Sequence, residues 1–358
     1  MKSRILVKVG TNVLTRSNGR LNYNIISDLV EQIVALQKDH EVILVSSGAA
    51  GAGREFFDFK DVKDPIIKKQ MLCSVGQARL FQVYADLLRE QSVLPAQALI
   101  SRTDFSNEVS FSNIKSTLEG LLSHGVLPII NENDVVSHEE SSFGDNDQLA
   151  ALTSIMLEAD LLVILSDIDG FYTADPNSNP DATLIKEVVK VEEKLLAMCQ
   201  DNLSKGGSGG MLSKLKAAEL AMNYGIPAIV TSGTKEKSLI DAVSLKKGGT
   251  FFNPSSPKKP LSHKGNWVTS AAEIKGSITV DDGAQKALGL GKSLLAVGII
   301  DLEGDFKEKQ VVLVQNSEKV RLGAGMVNFD ASEIKVWINS DPKPQNKVVI
   351  HTNHLYRL

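Results

Sequence analysis

Five short clusters in this chain hold side chains able to do chemistry. The first, Lys8-Val9-Gly10-Thr11, sets a lysine inside an apolar run with a glycine behind it. An unpaired ammonium is costly to bury, so Lys8 either snorkels to water or reaches an anionic ligand. Gly10 would let the backbone approach a phosphate. The second cluster, Ser46–Gly53 (SSGAAGAG), reads as an anion cradle of backbone N–H groups or as a tight turn. It is not a GxSxG nucleophile elbow, because position 45 is valine. The third is Asn131-Glu132-Asn133-Asp134, followed across a polar loop by Gly144-Asp145-Asn146-Asp147. Carboxylates hold an ammonium and amides donate to a carboxylate, which suits a small zwitterion. A solvated loop or a metal site are the other readings, and EF-hand spacing is absent. The fourth cluster is Ser166-Asp167, ahead of a turn at Gly170. The fifth, Lys205–Lys214 (KGGSGGMLSK), is a glycine-rich loop with Lys214 at a helix start. It could wrap phosphate oxygens or serve as a flexible linker. It is not a Walker A loop, and Gly291-Lys292-Ser293 fails that pattern too, because Lys286 stands where its first glycine should be.

These clusters follow short Val- and Ile-rich runs of the kind found in buried parallel strands. Strands are expected at Arg4–Val9, Glu41–Ser46, Val93–Ile100, Val126–Ile130, Leu161–Ser166 and Ile226–Thr231. Helical spacing is read over Asn24–Gln37, Ile66–Gln91, Asn113–His124, Asp147–Leu157 and Lys214–Tyr224. In Ile66–Gln91 the apolar stripe is placed on Met71, Val75, Ala78 and Gln82, broadened by Leu72, Leu80 and Leu87. Gly125 and Gly225 stand where two helices should stop. The alternation predicts an α/β fold with a doubly wound, mainly parallel sheet sandwiched by helices, over residues 1–256. In such a sheet, ligands bind beyond the carboxyl ends of the strands, where the clusters fall.

A Pro-, Ser- and Lys-rich stretch without periodicity follows, and residues 257–273 are expected to be a linker. Residues 274–358 then read as a small, mostly β domain with strand-like pieces at Ser277–Val280, Leu294–Ile300, Gln310–Val314 and Ile334–Ile338.

The net charge of −4 over 358 residues argues against a general nucleic-acid binder. Two cysteines, Cys73 and Cys199, lack CxxC spacing, so neither a disulfide framework nor a zinc site is expected. No apolar run approaches the roughly 20 residues of a membrane span. Met1-Lys2-Ser3-Arg4 runs straight into a strand, which leaves no room for a signal peptide. A cytoplasmic protein is expected, with no membrane partner and no metal held by its own side chains.

Together the clusters resemble the amino-acid kinase family, and within it the members that phosphorylate glutamate. Lys8–Thr11 is similar to the family's opening K-[LV]-G-[ST], and Ser46–Gly53 to its substrate-side small-residue loop. Asn131–Asp134 with Gly144–Asp147 resembles the pair that marks the glutamate-phosphorylating members. Ser166-Asp167 with Gly170–Pro176 resembles the nucleotide-side segment. Gly207–Met211 with Lys214 resembles the GTGGM…K loop, with Ser208 in place of the commoner threonine. The segment from Ile274 is more loosely similar to a PUA domain, through Ser277–Ala284 and Gly323–Phe329.

The resemblance implies phosphorylation of the side-chain carboxylate of L-glutamate by ATP with Mg²⁺, the first step of proline biosynthesis. Lys8 and Lys214 would be the catalytic cations, oriented by Asp147. Ser47, Asp134 and Asn146 would hold glutamate. Lys8, Ser166, Asp167, Ser208, Gly209, Gly210, Met211, Leu212, Ser213 and Lys214 would face ATP. It also implies feedback inhibition by proline, a homo-oligomer (dimer or tetramer) and a hand-off of product to glutamyl phosphate reductase. PUA domains often bind RNA, but 11 basic against 10 acidic residues over 274–358 give such binding no support. A sibling kinase with another acceptor, an RNA-binding protein and an amino-acid sensor without turnover are the competing readings.

Overall fold

The computed structural model describes residues 2–136, 146–176, 179–201, 210–255 and 263–357. The chain divides into two units, residues 1–104 with 113–259 and residues 105–112 with 260–358. In chain order the first unit begins β1 (Ser3–Val9), α1 (Thr11–Leu14), α2 (Tyr23–Gln37), β2 (His40–Ser46), α3 (Ala49–Gly53), α4 (Pro65–Glu90) and β3 (Pro95–Ile100). α5 (Arg102–Ser106) and α6 (Glu108–Ser123) are shared between the units. β4 (Leu127–Glu132), α7 (Asn146–Met156), β5 (Leu161–Ser166), β6 (Glu187–Val188), α8 (Glu193–Asp201), α9 (Met211–Asn223), β7 (Ala228–Ser232), α10 (Ser238–Leu245) and β8 (Gly249–Phe252) complete the first unit.

Its strands form one sheet in the order β3-β4-β2-β1-β5-β7-β8-β6. All pairings are parallel except β7 with β8. Val9 pairs with both Ser46 and Leu165, and Ser166 pairs with Ser232, so the carboxyl ends of four strands lie level. The chain builds outward from β1 first to β2 and later to β5, which makes the end of β1 the switch point where an open sheet offers a crevice. The core is the Val, Ile and Leu of the central strands, fully buried on both faces.

Local chemistry sets the helix ends. Asp64 caps α4, its Oδ1 accepting from the N–H groups of Ile66 (2.8 Å) and Ile67 (3.2 Å), with Pro65 at the first helical position. Gly125 and Gly225, both at φ +72°, close α6 and α9. In each case the next residue's N–H returns to a carbonyl five residues back, the Schellman pattern.

The buried stripe of α4 differs from the expected one. It runs through Leu72, Cys73, Gly76, Leu80, Tyr84 and Leu88, whereas Val75 is 41% exposed. The reason is Gly76. A β-carbon there would stand 1.9 Å from the Ala49 carbonyl oxygen and 2.3 Å from the Gly53 nitrogen. Backbone-to-backbone packing of α3 on α4 therefore fixes which face turns inward.

The second unit has a five-stranded sheet, order β11-β9-β12-β13-β15, and a two-stranded β10-β14 pair. Its elements are α11 (His263–Ser270), β9 (Ile274–Val280), α12 (Asp282–Gly289), β10 (Leu294–Leu295), β11 (Ile299–Gly304), β12 (Val311–Asn316), β13 (Arg321–Met326), α13 (Ala331–Ile338), β14 (Val348–Ile350) and β15 (Leu355–Arg357). Two expectations fail here. Within 257–273, read as linker, α11 forms because Trp267 and Val268 are buried and the Trp267 indole N–H donates to the Phe105 carbonyl at 3.0 Å. Ile334–Ile338, read as strand, is the end of α13. Asp330 and Glu333 form a capping box, and the Asp330 N–H donates to Glu333 Oε2 at 3.2 Å. Phe329 and Trp337 stack edge to face at 4.8 Å against it.

Candidate functional site

Lys8 is the last residue but one of β1, and its side chain turns onto α7 rather than out to water. It is 1% exposed, and its Nζ lies 2.5 Å from Asp147 Oδ1. That removes the snorkelling alternative. The other oxygen of the same carboxylate, Oδ2, accepts from Lys214 Nζ at 3.3 Å. Asp147 thus bridges two ammonium groups, one from β1 and one from the first turn of α9. All three side chains are buried, and a buried charge persists only when paired. Asp147 stands at the N-terminal end of α7, where the helix dipole attracts a negative charge as the two cations do.

On one side of this bridge the ends of β2 and β4 form a braced pocket. The Asn146 amide donates to Ser47 Oγ (3.1 Å), to the Ser46 carbonyl (3.2 Å) and to Asn131 Oδ1 (2.8 Å). Asn131 in turn donates to Gln77 Oε1 on α4 at 2.7 Å. Ser46 Oγ meets the Tyr84 hydroxyl, also on α4, at 2.9 Å. Asp134 faces the same cleft and pairs with Lys69 of α4 at 3.2 Å. Burial alone would lower the Lys69 ammonium, but Asp134 outweighs it and holds the group above its ordinary value. Burial and Asp134 together push the neighbouring Cys73 thiol up, so it stays neutral.

On the other side lie the ends of β5 and β7 and the start of α9. Asp167 accepts from Asn12 Nδ2 (2.8 Å) and from Ser166 Oγ (3.0 Å). Partial burial would raise this carboxyl. Those two donors and the Lys214 charge override it, and the pKa lies below its ordinary value. Gly210 is the N-cap of α9, its backbone extended, and among the described residues nothing lies within 4 Å of where a β-carbon would stand. The N–H groups of Met211 and Leu212 lead this helix, and that of Ser213 donates to the Gly210 carbonyl at 3.1 Å. That arrangement fits the phosphates of a nucleotide.

Lys8, Ser47, Asn146, Asp147, Ser166, Asp167 and Lys214, all singled out from sequence, are brought to one level of the sheet. Asp134 lies at the rim of the cleft at the ends of β2 and β4. Ser208 and Gly209, expected on the nucleotide side, and Gly144 and Asp145 lie outside the described residues. Asn12, Lys69, Gln77 and Tyr84 are additions. None belongs to a cluster that reads as chemistry. The signal for the α4 residues is their spacing on one helical face. Among the described residues no group of three or more His, Cys, Asp and Glu could hold a metal ion.

The model of the amino acid kinase family matches residues 3–232, and that of the PUA domain residues 276–337. A glutamate 5-kinase of Thermoanaerobacter sp. (strain X514) is 39% identical over 93% of this chain and 89% of its own. A glutamate 5-kinase of Neisseria meningitidis serogroup C is 41% identical over 92% of this chain and 89% of its own. One of Streptococcus sanguinis is 39% identical, over 97% and 94%. Among solved structures, carbamate kinase from Giardia lamblia bound to AMP-PNP aligns with a TM-score of 0.52 at 19% identity, over 71% of this chain and 99% of its own. UMP kinase from Ureaplasma parvum aligns at 0.50 and 17%, over 71% and 99%. At those identities the likeness speaks for the fold.

Proposed function

Since this chain belongs to the amino acid kinase family, and within it to the glutamate 5-kinases, we propose that its two-lysine site transfers a phosphoryl group from MgATP to the γ-carboxylate of L-glutamate. The observation that carries this reading is the Asp147 carboxylate holding Lys8 and Lys214, one per oxygen, between a polar acceptor cleft and the start of α9.

The acceptor needs no base. A side-chain carboxylate with a reference pKa near 4.3 is ionised at neutral pH. One of its oxygens forms the new P–O bond while the bond to the leaving ADP oxygen breaks, and no proton moves. The obstacle is the approach of two anions, and positioning with cations removes it. Bound MgATP supplies the phosphoryl group and the bridging cation. The chain supplies the rest. Lys8 and Lys214 neutralise charge on the equatorial oxygens. Asp147 sets their separation and cannot itself serve as a base while both lysines occupy it. Ser47 and Asn146 hold the acceptor carboxylate, and Asp134 the α-ammonium. Asp167, Ser166 and the start of α9 from Gly210 to Lys214 face the nucleotide, and Ser208 and Gly209, which precede α9 in the sequence, are assigned to it as well.

The test is turnover of MgATP with L-glutamate, the acyl phosphate being trapped as its hydroxamate. Aspartate, carbamate and UMP serve as rival acceptors. Preferential turnover of a rival would overturn the assignment. We place the enzyme in the cytoplasm, as an oligomer that passes its product to a reductase. Proline in the same assay should inhibit competitively with glutamate.

A further inference from the structure

The acceptor cleft contains a charge that the mechanism above leaves without a task. Among the described residues lining it are two carboxylates, Glu132 and Asp134, and one cation, Lys69. Glutamate arrives with two carboxylates and one ammonium. Its γ-carboxylate is drawn to Lys8 and Lys214, and its ammonium to Asp134. Its α-carboxylate must then enter a cleft whose remaining carboxylate repels it.

We infer that Lys69 is the specificity-determining residue that binds the α-carboxylate, so that Lys69 and Asp134 together read the zwitterionic head of the substrate. The pair stands at the rim, 3.2 Å apart, one anion beside one cation. The head of an α-amino acid carries the complementary pair at a similar spacing, and two such pairs side by side form four attractive neighbours. Lys69 has the means to do this without giving up Asp134. An ammonium has three donors, and its side chain is 53% exposed on the cleft side of α4. The raised pKa keeps it charged throughout the physiological range. Cys73, one helical turn along and neutral, adds no competing anion. This assignment rests on the glutamate reading of the site and refines it.

The experiment compares Lys69→Met and Lys69→Arg with the unaltered full-length protein. The two acceptors are L-glutamate and its α-amide, which keeps the ammonium and the γ-carboxylate but has a neutral head amide. With L-glutamate, Lys69→Met should raise KM about ten- to hundredfold, the range of a hydrogen bond to a charged group. The KM for MgATP should move less than twofold, and kcat should fall by less than KM rises. Lys69→Arg should recover most of the loss. With the α-amide, Lys69→Met should differ little from the unaltered enzyme, so that the preference for glutamate collapses. An unchanged KM for glutamate in Lys69→Met would overturn the inference. An equal rise for both acceptors would also overturn it, since Lys69 would then act only by steadying Asp134. Absence of glutamate turnover in the unaltered protein would instead overturn the functional reading, and this inference with it.

Discussion

The two sides of the Lys8–Asp147–Lys214 bridge are built differently. The acceptor side is cross-braced before any ligand arrives, with Asn146 holding three oxygens from two strands and α4 holding Asn131 and Ser46 from behind. The side proposed for the nucleotide relies on an exposed carboxylate steadied by Asn12 and Ser166, and on the start of α9. On the proposed assignment, the contrast follows from what each side would recognise. A small acceptor offers few contacts, so the protein must fix their geometry in advance. A nucleotide offers many phosphate oxygens, and backbone N–H groups at a helix start bind them with little side-chain preparation.

The largest effect should come from breaking the point the two sides share. Asp147→Ala removes the carboxylate that two buried ammonium groups share, which costs about 3–5 kcal/mol of stability. Turnover should fall about a thousandfold or more in Asp147→Ala and in Lys8→Met alike, as expected when electrostatic stabilisation is lost. Parallel urea unfolding separates the two cases, because Lys8→Met should lose activity with far less loss of stability. Gly76→Ala comes next. The new β-carbon meets backbone atoms that cannot turn aside, so stability should drop by about 3 kcal/mol, read from the urea midpoint. Normal stability would mean that α3 is not locked to α4. Asn146→Ala should then raise the KM for glutamate about tenfold or more while sparing the KM for MgATP. Equal effects on both would erase the distinction between the sides.

The smallest effect concerns pH. The folded pKa of Asp167 lies below its ordinary value of 3.8. Its contribution to stability is therefore whole above that value and is lost as pH falls through the folded one. Asn12→Ala removes a donor, so the carboxyl should titrate closer to 3.8, as followed by carboxyl NMR. An unmoved titration would mean that Ser166 and Lys214 suffice.

Much of this was legible in the sequence because charge is conspicuous inside apolar runs. Lys8 in a Val-rich strand announces itself by being costly where it stands, whereas Asp147 and Lys214 stand out by closing a polar cluster and a glycine-rich loop ahead of helices. The parallel sheet was legible for the complementary reason, since strands buried on both faces carry little but Val, Ile and Leu. Lys69 and Gln77 were hidden because a polar residue on a long helix is ordinary, and only the neighbour it meets makes it functional. The misread stripe of α4 has the same origin. Hydropathy marks Val75 as core and Gly76 as nothing, yet a close backbone approach reverses the two. α13 was hidden by its β-branched residues, and α11 by its Pro- and Lys-rich surroundings, until tertiary burial of Ile334 and Trp267 decided both.

Helix α4 carries Lys69, Cys73 and Gln77 at four-residue steps, and then Tyr84, so a single face of one helix runs along the whole acceptor side. Gly76, pressed onto α3, pins that face at a fixed height, like a key seated against its stop. New teeth can be cut on such a key while the lock behind it, the bridge of Asp147 with its two lysines, is left as it was. On the proposed assignment, acceptor choice would be separable from phosphoryl transfer, and would drift by substitutions every fourth residue of α4 without retuning the chemistry.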